Sequence, residues 1–137
     1  MKECFVIGLM SGTSLDGLDI AYCSFSFEKS WSYKILTFKT INYTPCFKER
    51  LRNAPILESS LLTNLSEDFG LFMAENVQAF VEENLISQID LIASHGHTVF
   101  HEPENGITLQ IGNPKPIYDL LKIPVAYDFR TQDVLLG

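Results

Sequence analysis

At 137 residues the chain is long enough for one domain with a real core, and 46% hydrophobic against 20% charged residues is the balance of a soluble globular fold. With 17 acidic and 10 basic residues the net charge is −7, which argues against a nucleic-acid or anionic-membrane surface, since neither is drawn to a chain without a basic patch. No apolar run reaches the length of a membrane span, and Met1-Lys2-Glu3-Cys4 lacks a signal-peptide layout. Cys4, Cys23 and Cys46 are odd in number and follow no metal spacing, so reduced thiols in a cytoplasmic protein are the simplest expectation.

Cys4-Phe5-Val6-Ile7 reads as a buried strand, and Ile20 to Phe27 drifts into the alternation of a second. Between them lies a turn of glycine, hydroxyl and carboxylate residues, Gly12 to Asp19. Tyr33 to Tyr43 alternates as a third strand, with Tyr33, Ile35, Thr37, Lys39, Ile41 and Tyr43 on one face. Tight turns joining three successive strands predict an antiparallel meander, ended by Pro45. Phe47 to Asn53 fits a short helix stopped by Pro55. From Leu61 to Leu85 the apolar period becomes three to four, the stripe of an amphipathic helix packed on a sheet. Asn64 and Glu67 are a candidate capping pair, and Gly70, which costs a helix about 1 kcal/mol relative to alanine, points to close packing.

Ile89 to Ser94 is a short apolar strand running into Ser94-His95-Gly96-His97-Thr98-Val99-Phe100-His101, and Thr108 to Ile111 is another. Asn113-Pro114-Lys115-Pro116 opens a helix to about Lys122, with a cap candidate and proline near its start. Val125 to Phe129 reads as the last strand. The order predicts an α/β fold: a mixed sheet beginning with a three-strand meander, with helices packed on it.

Three groups of residues carry candidate chemistry. In the first turn, Gly12, Thr13, Ser14, Asp16 and Gly17 can set backbone N–H groups and two hydroxyls around a phosphate, because glycine permits close approach and unusual dihedrals. Asp16 and Asp19 offer the oxygen that a phosphate-bound Mg2+ prefers, directly or through its waters. No Lys or Arg lies between Lys2 and Lys29, so a phosphate there depends on metal and backbone dipoles. An ordinary Asp-Gly hairpin has the same local signature. His95, His97 and His101 invite a metal reading, since His-x-His on a strand points both rings to one side, but no further ligand is spaced to complete a zinc shell. His95 at a strand end better suits a hydrogen bond to a polar ligand, or to nearby backbone. Asp128 can accept from a sugar hydroxyl and Arg130 can donate to a carboxylate or phosphate, unless the two form an internal ion pair.

Four motifs, in order, resemble the anhydro-N-acetylmuramic acid kinase family: Ile7 to Asp19, Ser94 to His101, Leu109-Gln110-Ile111-Gly112-Asn113-Pro114, and Asp128-Phe129-Arg130-Thr131-Gln132-Asp133-Val134. They cover nearly the whole chain. The resemblance implies an actin-like (ribonuclease H-like, hexokinase-like) ATPase fold and a cytoplasmic enzyme of peptidoglycan recycling. Such enzymes use ATP and Mg2+ to open the 1,6-anhydro ring of the amino sugar with water and phosphorylate O6, giving N-acetylmuramate 6-phosphate. It assigns the ATP phosphates to Gly12, Thr13, Ser14, Leu15, Asp16, Gly17, Leu18 and Asp19, with Asp16 on the metal side, and the sugar to His95, His97, Asp128 and Arg130. The implied partners are ATP and the amino sugar, with no nucleic acid or membrane; a homodimer is left open.

The chain departs from the family in two ways. His97 stands where the family usually has glutamine, which bears on sugar preference. The family also continues past Gly137 into a glycine-rich stretch and a second half carrying the catalytic base and the adenosine pocket. Residues 1–137 are therefore expected to be one N-terminal domain of a two-domain kinase, without a catalytic residue of its own and inactive alone. The alternative is a non-catalytic binding or interaction module derived from the same fold.

Overall fold

The computed structural model describes residues 2–137. β1 (Glu3–Ser11), β2 (Leu18–Phe27) and β3 (Trp31–Ile41) form the antiparallel meander that their alternation and tight turns demand. β4 (Leu91–Glu102) runs parallel to β1; β5 (Ile107–Ile111) pairs antiparallel with β4, and the short β6 (Val125–Tyr127) pairs parallel with it. The sheet order is β3-β2-β1-β4-β5, with β6 also beside β4. Helices α1 (Pro45–Arg52), α2 (Ser59–Glu83), α3 (Lys115–Leu121) and α4 (Phe129–Leu136) complete the chain. This mixed α/β sheet with helices packed on it is compatible with the actin-like ATPase fold.

The core lies between the sheet and α2. Ile7 and Leu9 of β1, Leu18 and Ile20 of β2 and Ile92 of β4 meet Leu65, Phe69, Met73, Val77 and Phe80, and all are buried. Full burial of one such side chain stabilises by about 1.5–3 kcal/mol, which is how the helical stripe orients α2. The helix begins two residues before the expected start, and Asn64 and Glu67 do not cap it; Glu58 is the N-cap and makes no side-chain capping bond. Glu67 instead accepts from the Asn113 amide at 2.8 Å, tying α2 to the turn after β5. Gly70 does mark close packing: a Cβ there would stand 2.3 Å from the Asn113 carbonyl oxygen.

Four strand expectations are corrected. In β1 only Ile7 of the Cys4–Ile7 run is fully buried; Cys4, Phe5 and Val6 are half-buried. The single face expected for β3 is divided by a bulge opposite Tyr22 and Cys23. Tyr33 and Ile35 lie on one side of the sheet with Phe25 and Cys23, whereas Thr37 and Lys39 turn to the α2 side, where they bond Asn84 and Glu83. Ile89–Ser94 and the histidine segment belong to one strand, β4, bent at Gly96 (φ +71°). The last strand stops at Tyr127 because Asp128 takes a left-handed conformation (φ 56°), and Phe129 starts α4.

Candidate functional site

The carboxyl ends of the parallel strands β1, β4 and β6 lie side by side, since Leu9 pairs with Ser94 and Ser94 with Tyr127. Open α/β sheets place ligands at such ends. The Gly12–Gly17 turn leaves from β1 here, His95 and His97 sit here on β4, and Asp128 follows β6.

In the turn the Leu15 N–H donates to the Gly12 carbonyl at 3.1 Å. Leu15 has positive φ (59°) and is buried, so its side chain anchors the turn in the core. Gly17 has φ +154° and a Cβ there would lie 2.4 Å from the Ile41 carbonyl oxygen, so only glycine fits. Gly12 is different: its nearest neighbour beyond the adjacent residues would be 3.8 Å from a Cβ, so space opens over its backbone. Thr13, Ser14 and Asp16 are exposed around that space. Leu18 is fully buried and acts in packing. Asp19 accepts from the Thr40 hydroxyl at 2.6 Å and is held against β3.

Beneath the turn lies a network that the sequence reading missed. Ser11 Oγ is 2.8 Å from His97 Nδ1 and is also hydrogen-bonded to the Tyr43 hydroxyl, and all three residues are buried. Burial pushes Tyr43 up to about 12, with the Ser11 hydrogen bond working against the rise. Burial, reinforced by the neighbouring His95, pulls His97 down to about 4, so its imidazole is neutral at pH 7. The missed signal was parity, because Ser11 follows Ile7 and Leu9 on the inward face of β1. Arg52 was also overlooked; it lines a cavity of about 130 Å³ with Thr13, Leu15, His97 and Thr98.

The two histidine rings do not point to one side, contrary to expectation. His97 packs against Phe69 of α2 with ring centroids 6.0 Å apart, whereas His95 packs against Phe129 of α4 at 6.0 Å. The cause is the bulge at Gly96, where two steps on β1, from Leu9 to Ser11, oppose three on β4, from Ser94 to His97. Among the described residues no three His, Cys, Asp or Glu side chains converge on a metal position.

His95 and Asp128 are brought together, with Arg130 near enough for its charge to act on His95, and His97 is separated from them. His95 and Asp128 line one small cavity with Gln110, Gly112 and Tyr127. An adjoining groove of about 370 Å³ runs past Gln110, Asn113, Asp128 and Thr131. His95 Nε2 and Gln110 Oε1 are buried without a hydrogen-bond partner among the described residues. Burial lowers the His95 pKa, and the Arg130 and His101 charges add to that. Asp128 accepts from the Thr131 hydroxyl at 2.5 Å, and no Asp128–Arg130 ion pair forms among the described residues.

The sequence model of the family described as anhydro-N-acetylmuramic acid kinase matches residues 4–137. The chain belongs to the anhydro-N-acetylmuramic acid kinase family. Relatives bearing that name include one from Sulfurimonas denitrificans, 35% identical over 97% of this chain, and one from Shewanella denitrificans, 40% identical over 99%. A third, from Acinetobacter baylyi, is 34% identical over 96%. The chain spans only 37%, 38% and 35% of those relatives' own lengths, respectively. Among the described residues no helix is long and apolar enough to cross a membrane.

Proposed function

We propose that residues 1–137 form one actin-like domain of a two-domain cytoplasmic sugar kinase, the part that holds the nucleotide phosphates and one side of the sugar. The reaction is opening of the 1,6-anhydro ring of anhydro-N-acetylmuramic acid by water with phosphorylation at O6, a step of peptidoglycan recycling. One observation supports the reading: in a chain of this kinase family, the Gly12–Gly17 turn, His95 and Asp128 lie at the carboxyl ends of β1, β4 and β6, with Arg130 following in α4.

The residues present fit a nucleotide phosphate. The open backbone at Gly12, the exposed hydroxyls of Thr13 and Ser14 and the carboxylate of Asp16 supply donors and one metal-side oxygen, and Gly17 and Leu15 hold the turn's shape. Bound MgATP supplies the transferable phosphoryl group and neutralises its charge. Asp19, pinned by Thr40, shapes the base of the turn. Ser11, Tyr43 and neutral His97 brace the turn from below, so His97 acts on the phosphate side of the site. On the sugar side, Arg130 is the cation for the lactyl carboxylate, Asp128 accepts from a hydroxyl, and neutral His95 orients a polar group.

The test is a chimera in which this chain replaces the matched segment of the Sulfurimonas denitrificans relative, assayed with ATP, Mg2+ and the anhydro sugar. Arg130→Ala is expected to raise KM for the sugar roughly ten- to a hundredfold, the loss of one charge-assisted hydrogen bond, with KM for ATP nearly unchanged. An unchanged sugar KM with lowered thermal stability removes Arg130 from the site. Gly12→Val is expected to abolish turnover by filling the space over the turn. Normal turnover in that variant reduces the turn to a plain hairpin.

A further inference from the structure

The function proposed above leaves Gln110 without a role. It lies on β5 opposite Thr98 of β4, and it shares a cavity of about 40 Å³ with His95, Tyr127 and Asp128. Gln110 Oε1 and His95 Nε2 are both buried, and no donor of the described residues reaches either. Buried polar atoms are almost always paired, so two orphans on one cavity call for a shared partner.

The neighbours decide which of these atoms bear hydrogen. His95 Nδ1 is 3.4 Å from the Gly96 carbonyl oxygen, which only accepts, so Nδ1 carries the proton. Burial lowers the His95 pKa, so at pH 7 the ring is neutral and Nε2 offers a lone pair. The Thr108 hydroxyl donates to the Phe100 carbonyl oxygen at 3.3 Å and accepts from Gln110 Nε2 at 2.8 Å. That order fixes the amide and leaves Oε1 as a second acceptor. Asp128 adds a carboxylate, which already accepts from Thr131. The Ser94 hydroxyl, also on this cavity, is turned to Met73 Sδ at 3.6 Å. Side-chain acceptors gather here without a matching donor.

We propose that His95 and Gln110 hold one resident water, which donates one hydrogen to His95 Nε2 and the other to Gln110 Oε1. A water takes about 30 Å³ in the liquid, which suits a cavity of about 40 Å³. A cation is disfavoured there, because the Arg130 charge already acts on His95. The water makes Gln110 a positioning residue: through it, the amide locks the His95 ring in its Nδ1–H tautomer. A ligand group that takes the water's place has to donate a hydrogen itself, as a hydroxyl or an N–H does, and a carboxylate or phosphate is refused.

The test uses the purified, isotope-labelled chain without ligand, so neither nucleotide, sugar nor activity enters it. Nuclear magnetic resonance of the histidine side chains is expected to show His95 as the Nδ1–H tautomer, with Nε2 in the range of a hydrogen-bonded acceptor. Its Hε1 proton should give a direct cross-relaxation peak with a bound water. Gln110→Met keeps the bulk and removes Oε1. In that variant the water peak should vanish and His95 Nε2 should move downfield, toward an acceptor with no donor, with the far-UV circular dichroism spectrum retained. Tyr127→Phe removes a lining hydroxyl and should leave both signals in place. An Nε2–H tautomer overturns the proposal, because His95 would then bond Gln110 directly. So does wild-type His95 without a water peak, and both results stand even if Gln110→Met does not fold. A water peak that survives Gln110→Met overturns it, as does one lost in Tyr127→Phe, which gives the contact to the hydroxyl. A saturable shift of the His95 signals with ammonium or potassium chloride at constant ionic strength gives the cavity to a cation and equally overturns it.

Discussion

His97 carries a titration that the fold has displaced far from its ordinary range. Its pKa falls from 6.5 to about 4 because burial disfavours the imidazolium. The unfolded chain therefore binds a proton that the folded chain refuses. The stability this contributes is present above pH 6.5 and is lost as the pH falls through 4, to a limit of roughly 3 kcal/mol. His97→Gln retains a hydrogen-bonding partner for Ser11 but cannot titrate. Thermal melts from pH 7 to pH 4 should show a clearly smaller loss of Tm in the variant, and parallel curves would clear His97 of the effect. Two glycines of the turn should separate in the same measurement. Gly17→Ala forces a Cβ against the Ile41 carbonyl and should cost about 2 kcal/mol or more, whereas Gly12→Ala meets nothing closer than 3.8 Å and should cost less than about 1 kcal/mol.

At the scale of elements, α2 and the turn after β5 are interlocked. Asn113 donates to Glu67, its own N–H donates to the Ser66 carbonyl at 3.0 Å, and its carbonyl lies over Gly70. Gly70→Ala sets two terms against each other. Helix propensity favours alanine by about 1 kcal/mol, but its Cβ would fall 2.3 Å from a backbone oxygen that other bonds hold in place. The clash should win, giving a lower Tm and a weaker α2–α3 contact; a rise in Tm would mean that the turn yields easily. The helix and its glycine were legible in sequence because a stripe at three- and four-residue steps is a local property. Its start was not, since Glu58 caps without a side-chain bond and leaves no capping signature.

At the scale of the molecule, the proposed function makes this chain one side of a cleft. Phosphoryl transfer depends on clamping the nucleotide and orienting the acceptor, and such positioning is worth roughly 7–11 kcal/mol in well-aligned cases. On that proposal, a chain spanning 37% of its Sulfurimonas denitrificans relative's length, with His95 and Asp128 lining one small cavity, is not expected to supply that alignment alone. The purified 137-residue chain is expected to show no kinase turnover above background in a coupled ADP assay. Robust turnover would place the catalytic machinery within these residues.

Composition, the alternation of β1 and β2, the helical stripe of α2 and the four ordered motifs were properties of the chain alone, and together they determined the α/β class, the meander and the family. Each depends on residues close in sequence, where side-chain period and turn chemistry act without help from distant contacts. The parting of His95 from His97, the division of β3 between two faces, and the burial of Ser11 and Tyr43 beside His97 were decided only in the tertiary structure. A bulge is set by how a strand pairs with its neighbour: the extra step at Gly96 against β1 turns His97 to the other side of β4 from His95, and the one opposite Tyr22 and Cys23 reverses the later side chains on β3. Asp128 likewise turns left-handed where β6 gives way to α4, which sets Phe129 against His95 and brings Arg130 near it. Local period records which residues can share a face; strand pairing and helix docking choose which face that is.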